Sequence, residues 1–195
     1  MKRLARVFSA LCLALILWGV WLVLAPDLIP RRPDAPVVTV PQRPETRPER
    51  PQAALQGPVD RILIEKSARR MTVFRDGESL KTYRIGLGFE PDGSKLRQGD
   101  GRTPEGVFRI DRRNDASAYH LSLGIDYPRP EDRDRAKAAG VDPGGDIFIH
   151  GQPNQRPDGE VLAGDWTAGC IAVSDAEIRE LFAAAQIGTE VEIRP

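Results

Sequence analysis

The sequence predicts a mainly β domain with one or two short helices, preceded by a single transmembrane helix. Three observations support this prediction. Residues 59–195 repeatedly alternate apolar and polar side chains, residues 7–25 form a continuous apolar run, and nine of the 17 prolines fall between them in residues 26–58. The 28 basic residues balance the 28 acidic residues, so the sequence lacks the basic surface typical of a nucleic-acid-binding protein.

Residues 1–25 are predicted to form a membrane anchor. The apolar run Val7–Ala25 would make a helix roughly 28 Å long, close to the thickness of a bilayer core. It is longer than the apolar region of about 7–15 residues in a signal peptide, and Pro26 directly follows the one candidate cleavage site, so an uncleaved anchor is favoured. A buried core helix is excluded because the run has no polar face. The positive-inside rule places the N-terminus in the cytoplasm, on the basis of Lys2, Arg3 and Arg6.

This topology predicts a single-pass inner-membrane protein whose remaining chain is periplasmic. Residues 26–58 combine their prolines with charged residues, and such a segment cannot bury enough apolar surface to offset its ordering entropy. We therefore expect an extended linker. The folded domain comprises residues 59–195.

Alternation and turn residues locate the strands of this domain. A hairpin is expected at Asp76-Gly77, since this pair separates two alternating runs. The predicted strand segments are Arg61–Lys66, Arg70–Gly88 (which includes that hairpin), Gly106–Ile110, Asp146–Gly151 and Thr189–Ile193.

One amphipathic helix is predicted at Ser174–Gln186. Ser174 and Glu177 form a capping-box pattern, and Gly188 follows the end of the apolar periodicity. A second, short and exposed helix is predicted at Glu131–Gly140. Long loops are expected around 90–103 and 152–164.

Cys170 is the candidate reactive residue. It is the only cysteine of the folded domain, because Cys12 lies in the apolar run. A lone cysteine is either a small buried hydrophobic residue or a reactive thiol. A nucleophilic cysteine needs a nearby imidazole and N–H groups that stabilise an oxyanion. The imidazole must come from His120 or His150, the only two histidines, and His150 lies at the end of a predicted strand, before Gly151.

The turn "TAGC" could supply the oxyanion-binding N–H groups from Ala168, Gly169 and Cys170. No cofactor pattern is recognisable, and a metal site is disfavoured because two histidines and one cysteine lack short ligand spacing.

These motifs together resemble the L,D-transpeptidase catalytic domain, also called the YkuD-type domain. The resemblance rests on "IHG" at 149–151 followed by "TAGC" at 167–170, on "GDGRTPEGVFRI", and on "DWTAGCIAV", which is similar to one proteobacterial branch. It covers the whole folded part and implies a β-sandwich-like fold. It also implies that Cys170 is the nucleophile, that His150 is the base, and that the Gly151 carbonyl orients the imidazole. The implied substrate is a peptidoglycan stem peptide, attacked at meso-diaminopimelate.

Two residues depart from the family pattern. Ala168 stands where a second histidine is common, and Ala172 stands where arginine or asparagine is common. The activity therefore stays open between L,D-transpeptidation and L,D-carboxypeptidase or endopeptidase hydrolysis. A non-catalytic wall-binding module is a third alternative, disfavoured because Cys170 and His150 are both present.

Candidate substrate-binding residues are Thr167, Trp166, His120 and Arg156. His120 either lies partly buried in a strand or provides a second imidazole that compensates for Ala168. Loop arginines that could meet substrate carboxylates are Arg102, Arg112, Arg113 and Arg156. We also expect the pKa of the Cys170 thiol to be depressed, because a neighbouring imidazole would stabilise the thiolate.

Overall fold

The structure, a computed structural model, describes residues 54–157 and 159–195. The predicted anchor and most of the predicted linker lie outside these residues. Within them, no helix combines the length and apolar character needed to cross a bilayer.

The described chain forms one eight-stranded sheet and two helices, which confirms the mainly β prediction. The strands follow the order β3-β2-β1-β8-β4-β5-β6-β7 across the sheet. Their bounds are β1 Val59–Glu65, β2 Arg70–Arg75, β3 Glu78–Arg84, β4 Gly106–Ser117, β5 His120–Ile125, β6 Phe148–His150, β7 Ile171–Ala172 and β8 Ala185–Arg194. The helices are α1 Pro130–Ala138 and α2 Asp175–Ala184.

The hairpin between β2 and β3 forms where the sequence predicts it. Asp76 and Gly77 both have positive φ angles, 51° and 80°, as a two-residue turn between antiparallel strands requires. In the sheet centre, β1 and β8 pair in parallel, with Ile62 opposite Val191 and Ile64 opposite Ile193. These four side chains are buried in the core.

β4 carries the sheet from one half to the other. Its first part, Gly106–Arg109, pairs with β8, and its later part pairs with β5 from Ile110 onward. The sequence prediction ended this strand at Ile110. The strand continues to Ser117 because residues 112–114 and Ser117 pair with β5. Residues 111–116 are exposed or half-buried on both faces, so they show no alternation that would predict a strand.

The two ends of the sheet meet. Gly86, just after β3, forms a bridge with Ala172 of β7, and Gly88 forms one with Thr167. The expected β-sandwich-like arrangement is therefore observed as a single sheet that curls back toward its own edge. Cys170 lies between these two bridges.

α2 begins as predicted and ends earlier. The Ser174 side chain accepts a hydrogen bond from the Glu177 N–H, and the Glu177 side chain accepts one from the Ser174 N–H, which completes the capping box. The predicted helix extended to Gln186, but Ala185 has an extended backbone and pairs with Val59. Pairing with the sheet thus overrides the helical periodicity, and Gly188 lies within β8.

Candidate active site

Thr167 organises the turn that carries Cys170. Its hydroxyl accepts a hydrogen bond from the Gly169 N–H at 3.1 Å and donates one to the Cys170 carbonyl at 2.8 Å. Its backbone is held by the loop after β3, through hydrogen bonds with Leu87 and Phe89. The buried Thr167 side chain therefore fixes the turn from within, a structural function beyond its predicted contact with substrate.

Gly169 is required at its position. Its φ angle of 136° lies in a region that favours glycine, and a Cβ atom there would lie 2.7 Å from the Arg102 carbonyl oxygen. Gly88 packs against the same turn, since its own Cβ would lie 3.0 Å from the Gly169 Cα atom. Close backbone approach on both sides therefore leaves no room for a side chain.

The predicted set of oxyanion donors needs one correction. The Gly169 N–H is engaged by the Thr167 hydroxyl and points into the turn. The N–H groups of Ala168 and Cys170 have no hydrogen-bond partner within the described part of the chain. These two groups remain as candidate oxyanion donors.

His150 is buried at the end of β6, with 4% of its surface exposed. Its Nδ1 lies 2.8 Å from the Gly151 carbonyl oxygen, so Nδ1–H donates to this acceptor and Nε2 is left unprotonated in the neutral ring. The His150 carbonyl accepts a hydrogen bond from the Val173 N–H just after β7. The contact expected between the imidazole and Gly151 is thus present.

Gly151 is glycine because α2 approaches it closely. A Cβ atom on Gly151 would lie 2.5 Å from Asp175 Oδ1 and 3.0 Å from Ile178 Cγ2. The same Asp175 oxygen accepts a hydrogen bond from the Gln152 N–H at 2.7 Å. The start of α2 therefore supports the segment that orients His150.

Two aromatic rings pack around the His150 imidazole. The ring of Tyr119 lies 4.6 Å from it between centroids, and the ring of Trp166 lies 5.7 Å from it in an edge-on orientation. Trp166 Nε1 is buried and has no hydrogen-bond partner among the described residues. Trp166 is among the residues predicted from sequence, whereas Tyr119 is not, because no local pattern shows that the turn before β5 packs against His150 of β6.

The Cys170 thiol and the His150 imidazole are both expected to be neutral at rest. The thiol is half-buried and donates to the Asp146 carbonyl at 3.4 Å. Burial raises the pKa of the Cys170 thiol, and the Phe148 N–H offsets only part of this effect. Burial also lowers the pKa of His150, against a smaller opposite effect of its hydrogen bond with Gly151. The predicted depression of the thiol pKa was wrong because it considered the imidazole and ignored desolvation.

Three of the other predicted residues are engaged by partners outside the Cys170 turn. His120 Nε2 accepts a hydrogen bond from Arg179 of α2 at 2.9 Å, so this imidazole nitrogen is already engaged. Arg156 forms an ion pair with Glu160 in its own loop at 2.5 Å. Arg113 donates to the Ala185 carbonyl.

The remaining two arginines lie nearer to the site. Arg112 forms an ion pair with Asp146 at 3.2 Å, next to the thiol's acceptor, and its guanidinium stacks on Phe148. The backbone of Arg102 packs against Gly169. Its side chain lines a cavity formed by the 90–102 loop.

An ion pair that the sequence did not reveal anchors the same turn. Asp165 accepts hydrogen bonds from Arg69 Nε at 3.0 Å and Nη2 at 2.7 Å, and from the Leu87 N–H at 2.9 Å. Arg69 lies in the turn between β1 and β2 with a φ angle of 48°. No sequence signal joins two residues 96 positions apart.

Two cavities flank the Cys170 turn. One of about 420 Å³ is lined in part by Arg84, Gly86, Leu162, Ala172, Val173 and Glu177; we call it the Ala172 cavity. The other, of about 600 Å³, is lined by Glu90, Leu96, Arg97, Gly99, Asp100 and Arg102. Ala172 of the first cavity follows Cys170 by two residues, and the backbone of Arg102 of the second cavity packs against Gly169. Within residues 54–157 and 159–195 no cluster of His, Cys, Asp and Glu side chains is arranged to hold a metal ion.

Comparison with known proteins identifies related sequences and folds. The family model of the L,D-transpeptidase catalytic domain matches residues 59–193. Curated protein sequences give no match. Among solved structures, the helical cell shape determining protein Pgp2 from Campylobacter jejuni is 25% identical, with a TM-score of 0.54 over 74% of this chain and 51% of that chain. A point variant of Pgp2 is 26% identical, with a TM-score of 0.56 over 71% of this chain and 48% of that chain.

Bd1075 from Bdellovibrio bacteriovorus shares the fold. It is 22% identical, with a TM-score of 0.50 over 73% of this chain and 51% of that chain. The chain spans about half the length of these solved structures.

Proposed function

The chain belongs to the L,D-transpeptidase catalytic domain family, and on this premise we propose that it is a periplasmic, cysteine-dependent L,D-transpeptidase acting on peptidoglycan. Its substrate is a stem peptide that contains meso-diaminopimelate. Cys170 is the nucleophile and His150 the general base. No cofactor takes part in this mechanism.

The observation that carries the proposal is the hydrogen bond between His150 Nδ1 and the Gly151 carbonyl at 2.8 Å. It leaves Nε2 as the basic nitrogen. In the parallel pairing of β6 with β7, His150 lies opposite Ala172. Cys170 precedes Ala172 by two residues, so it lies diagonally from His150 at the start of the adjacent strand.

The first step is acylation of the thiol. His150 Nε2 takes the proton from Cys170 Sγ as the sulfur attacks the carbonyl carbon of diaminopimelate, and the carbonyl π electrons move to oxygen. The Ala168 and Cys170 N–H groups donate to this oxyanion. The imidazolium then returns the proton to the leaving amine as the C–N bond breaks. An acyl-enzyme and a free amine result.

The second step is transfer to an acceptor amine. Neutral His150 removes a proton from the amine as its nitrogen attacks the thioester. The C–S bond breaks, and the thiolate recovers the proton from the imidazolium. The product is a new amide bond and a free thiol, so the enzyme is restored.

Hydrolysis of the same acyl-enzyme is the second candidate function. With water in place of the amine, the enzyme is an L,D-carboxypeptidase or endopeptidase. Ala172 favours this candidate because its small side chain leaves a cavity of about 420 Å³ two residues from the nucleophile. Either activity alters peptidoglycan stem peptides, and we propose a function in cell shape for this protein by analogy with the helical cell shape determining protein Pgp2.

Intact-mass spectrometry with product analysis separates the two candidates. The protein is incubated with disaccharide tetrapeptides that contain meso-diaminopimelate. Cross-linked dimers identify transfer, whereas shortened peptides without dimers identify hydrolysis. A covalent adduct is expected on the wild type and not on Cys170→Ala. A wild type that gives neither adduct nor product would contradict both candidates and favour a wall-binding module.

We also propose that residues 7–25 anchor the protein in the inner membrane, with the N-terminus in the cytoplasm and residues 26–58 as an extended periplasmic linker. The support is the uncharged apolar run after Lys2, Arg3 and Arg6 and the proline-rich composition that follows it. An alkaline phosphatase fusion to the C-terminus tests this topology. Phosphatase activity is expected, and an inactive fusion in the cytosol would contradict it.

A further inference from the structure

The Ala172 cavity lies close enough to Cys170 to hold part of a substrate. Ala172 lines the cavity and follows Cys170 by two residues. Two residues of extended chain span roughly 6.6 Å, about the length of a dipeptide unit in a bound peptide. A peptide whose acyl carbon lies at the thiol therefore reaches this cavity with the next one or two groups.

Residue 172 contributes a small side chain to the wall of this cavity. In an extended chain, residues two positions apart lie on the same side, so Cys170 and the Ala172 methyl group face the same region. The sequence pattern of the family has arginine or asparagine at this position. Here the Ala172 Cβ atom lies 3.8 Å from the position of a Cβ atom built on Gly86, and Ala172 is part of the cavity wall. The chain therefore lacks the usual polar group at this position.

Arg84 brings a positive charge to the same cavity. It is exposed at the end of β3, directly before the bridge that joins Gly86 to Ala172. No carboxylate lies within ion-pair distance of its guanidinium among residues 54–157 and 159–195. By contrast, Lys81 on the same strand is paired with Glu180 at 2.6 Å.

The one acidic residue of the cavity wall does not neutralise Arg84. Glu177 Oε2 accepts hydrogen bonds from the Ser174 N–H at 2.8 Å and from the Ser174 hydroxyl at 2.7 Å. These bonds belong to the capping box of α2. The rest of the wall is largely apolar, with Leu162 and Val173 among its residues.

We propose that Arg84 binds a carboxylate of the stem peptide in the Ala172 cavity and so replaces the polar group absent at position 172. This inference rests on the proposed function. An arginine can form two parallel hydrogen bonds with a carboxylate, and the apolar wall suits the methylene groups beside it. The carboxylate is either the C-terminal one of the tetrapeptide or the second carboxylate of diaminopimelate.

Steady-state kinetics of Arg84→Gln tests the assignment. The matched control is Arg70→Gln, which removes the same charge from the residue opposite Arg84 on β2 and outside the cavity. Arg84→Gln is expected to lower kcat/KM for the tetrapeptide roughly tenfold, mainly through KM, because a charge-assisted hydrogen bond contributes to binding. Arg70→Gln should match the wild type.

Two modified tetrapeptides identify the carboxylate. One has a C-terminal carboxamide and the other has the second carboxylate of diaminopimelate amidated. The peptide that lacks the recognised carboxylate should bind the wild type and Arg84→Gln equally, whereas the other should keep the roughly tenfold difference. If the wild type and Arg84→Gln still differ about tenfold with both modified peptides, Arg84 does not recognise either carboxylate and the proposal is overturned.

Calorimetric binding in the Cys170→Ser background separates this inference from the proposed function. A Kd for the unmodified tetrapeptide that rises with Arg84→Gln and not with Arg70→Gln supports the inference even if the wild type turns nothing over. Equal Kd values for the two arginine variants, or no binding at all, would overturn it even if the wild type is active.

Discussion

The Cys170 sulfur lies beside the Asp146 carbonyl oxygen at 3.4 Å, with the Asp146 carboxylate nearby. Burial is the largest effect on its pKa and disfavours the thiolate, and the negative charge of Asp146 acts in the same direction. The positive charges of Lys95 and Arg112 lower the pKa of the thiol, but their effects are smaller than those of burial and of Asp146. The neutral thiol is therefore the expected resting form, and the proposed mechanism requires proton transfer to generate the thiolate during the reaction.

The pH profile of alkylation measures this property. We expect iodoacetamide to label Cys170 with a midpoint above the ordinary thiol pKa of about 8.5, because the folded protein holds the proton more tightly. Intact-mass spectrometry across a pH series gives the midpoint. Complete labelling near neutral pH, with a midpoint well below about 8.5, would contradict the expectation that the Cys170 thiol and the His150 imidazole are both neutral at rest.

The lowered pKa of His150 predicts the pH at which activity falls on the acidic side of the pH–rate profile. His150 acts as a base only when it is neutral, and burial lowers its pKa from the usual value of about 6.5. The rate should therefore hold on the acidic side of that value and fall only as the pH passes below the lowered pKa. The pH dependence of the acylation rate is the measurement. A loss of activity that begins above about pH 6.5 would show that a group other than His150 controls it.

Thr167 offers a second prediction at the scale of one residue. Thr167→Val keeps the shape of the side chain and removes both hydrogen bonds that brace the turn, with Gly169 and with Cys170. We expect the buried Gly169 N–H, left without an acceptor, to lower the free energy of unfolding by about 1–3 kcal/mol. Activity should fall in addition, since the oxyanion donors belong to this turn.

Thr167→Ser is the matched control, because it keeps the hydroxyl. Chemical denaturation and the acylation rate are measured for both variants. A free energy of unfolding and an acylation rate that are no lower in Thr167→Val than in Thr167→Ser would show that the hydroxyl is not needed and would contradict the bracing function.

At the scale of elements, the turn before Cys170 makes a contact with the turn between β1 and β2, in the other half of the sheet. Asp165→Asn should weaken the pair with Arg69, whose two hydrogen bonds measure 3.0 Å and 2.7 Å from Nε and Nη2. Both side chains are partly exposed, so we expect a loss of about 1–2 kcal/mol in the free energy of unfolding. The acylation rate should fall as well, because the pair also holds the Leu87 N–H against the turn.

The control for this pair is Glu65→Gln, which removes the exposed ion pair of Glu65 with Arg70 and leaves the turn intact. Surface pairs contribute at most about 1 kcal/mol, so stability and activity should change little. An acylation rate in Asp165→Asn equal to that of the control would show that the turn does not need this contact.

Structural elements that depend on adjacent residues could be predicted from the sequence, whereas features that depend on distant contacts could not. The turn at Asp76-Gly77 and the capping box of α2 depend on adjacent residues, and both were predicted. The end of α2 depends on the pairing of Ala185 with Val59, more than 100 positions away. Within the site, the motif identified Cys170 and His150, whereas Tyr119 and Asp165 became apparent only when the sheet brought distant turns together.

At the scale of the whole molecule, the sheet explains why the candidate site lies where its two ends meet. β3 and β7 are the edge strands, and the bridges from Gly86 to Ala172 and from Gly88 to Thr167 join them next to Cys170. An exposed sheet edge carries unpaired backbone groups, and these bridges cover part of both edges. The turn is thereby held by β6 on one side and by the residues after β3 on the other.

The described core also predicts which part of the chain folds independently. The buried core residues of the described chain lie between Val59 and Ile193 and pack against one another there. Deletion of residues 1–53 should therefore leave the melting temperature and the acylation rate of Cys170 unchanged, while it moves the protein from the membrane fraction to the soluble fraction. Differential scanning calorimetry and fractionation measure the two effects. A truncated protein that stays with the membrane would contradict the anchor, and one that melts lower would show that the N-terminal segment stabilises the domain.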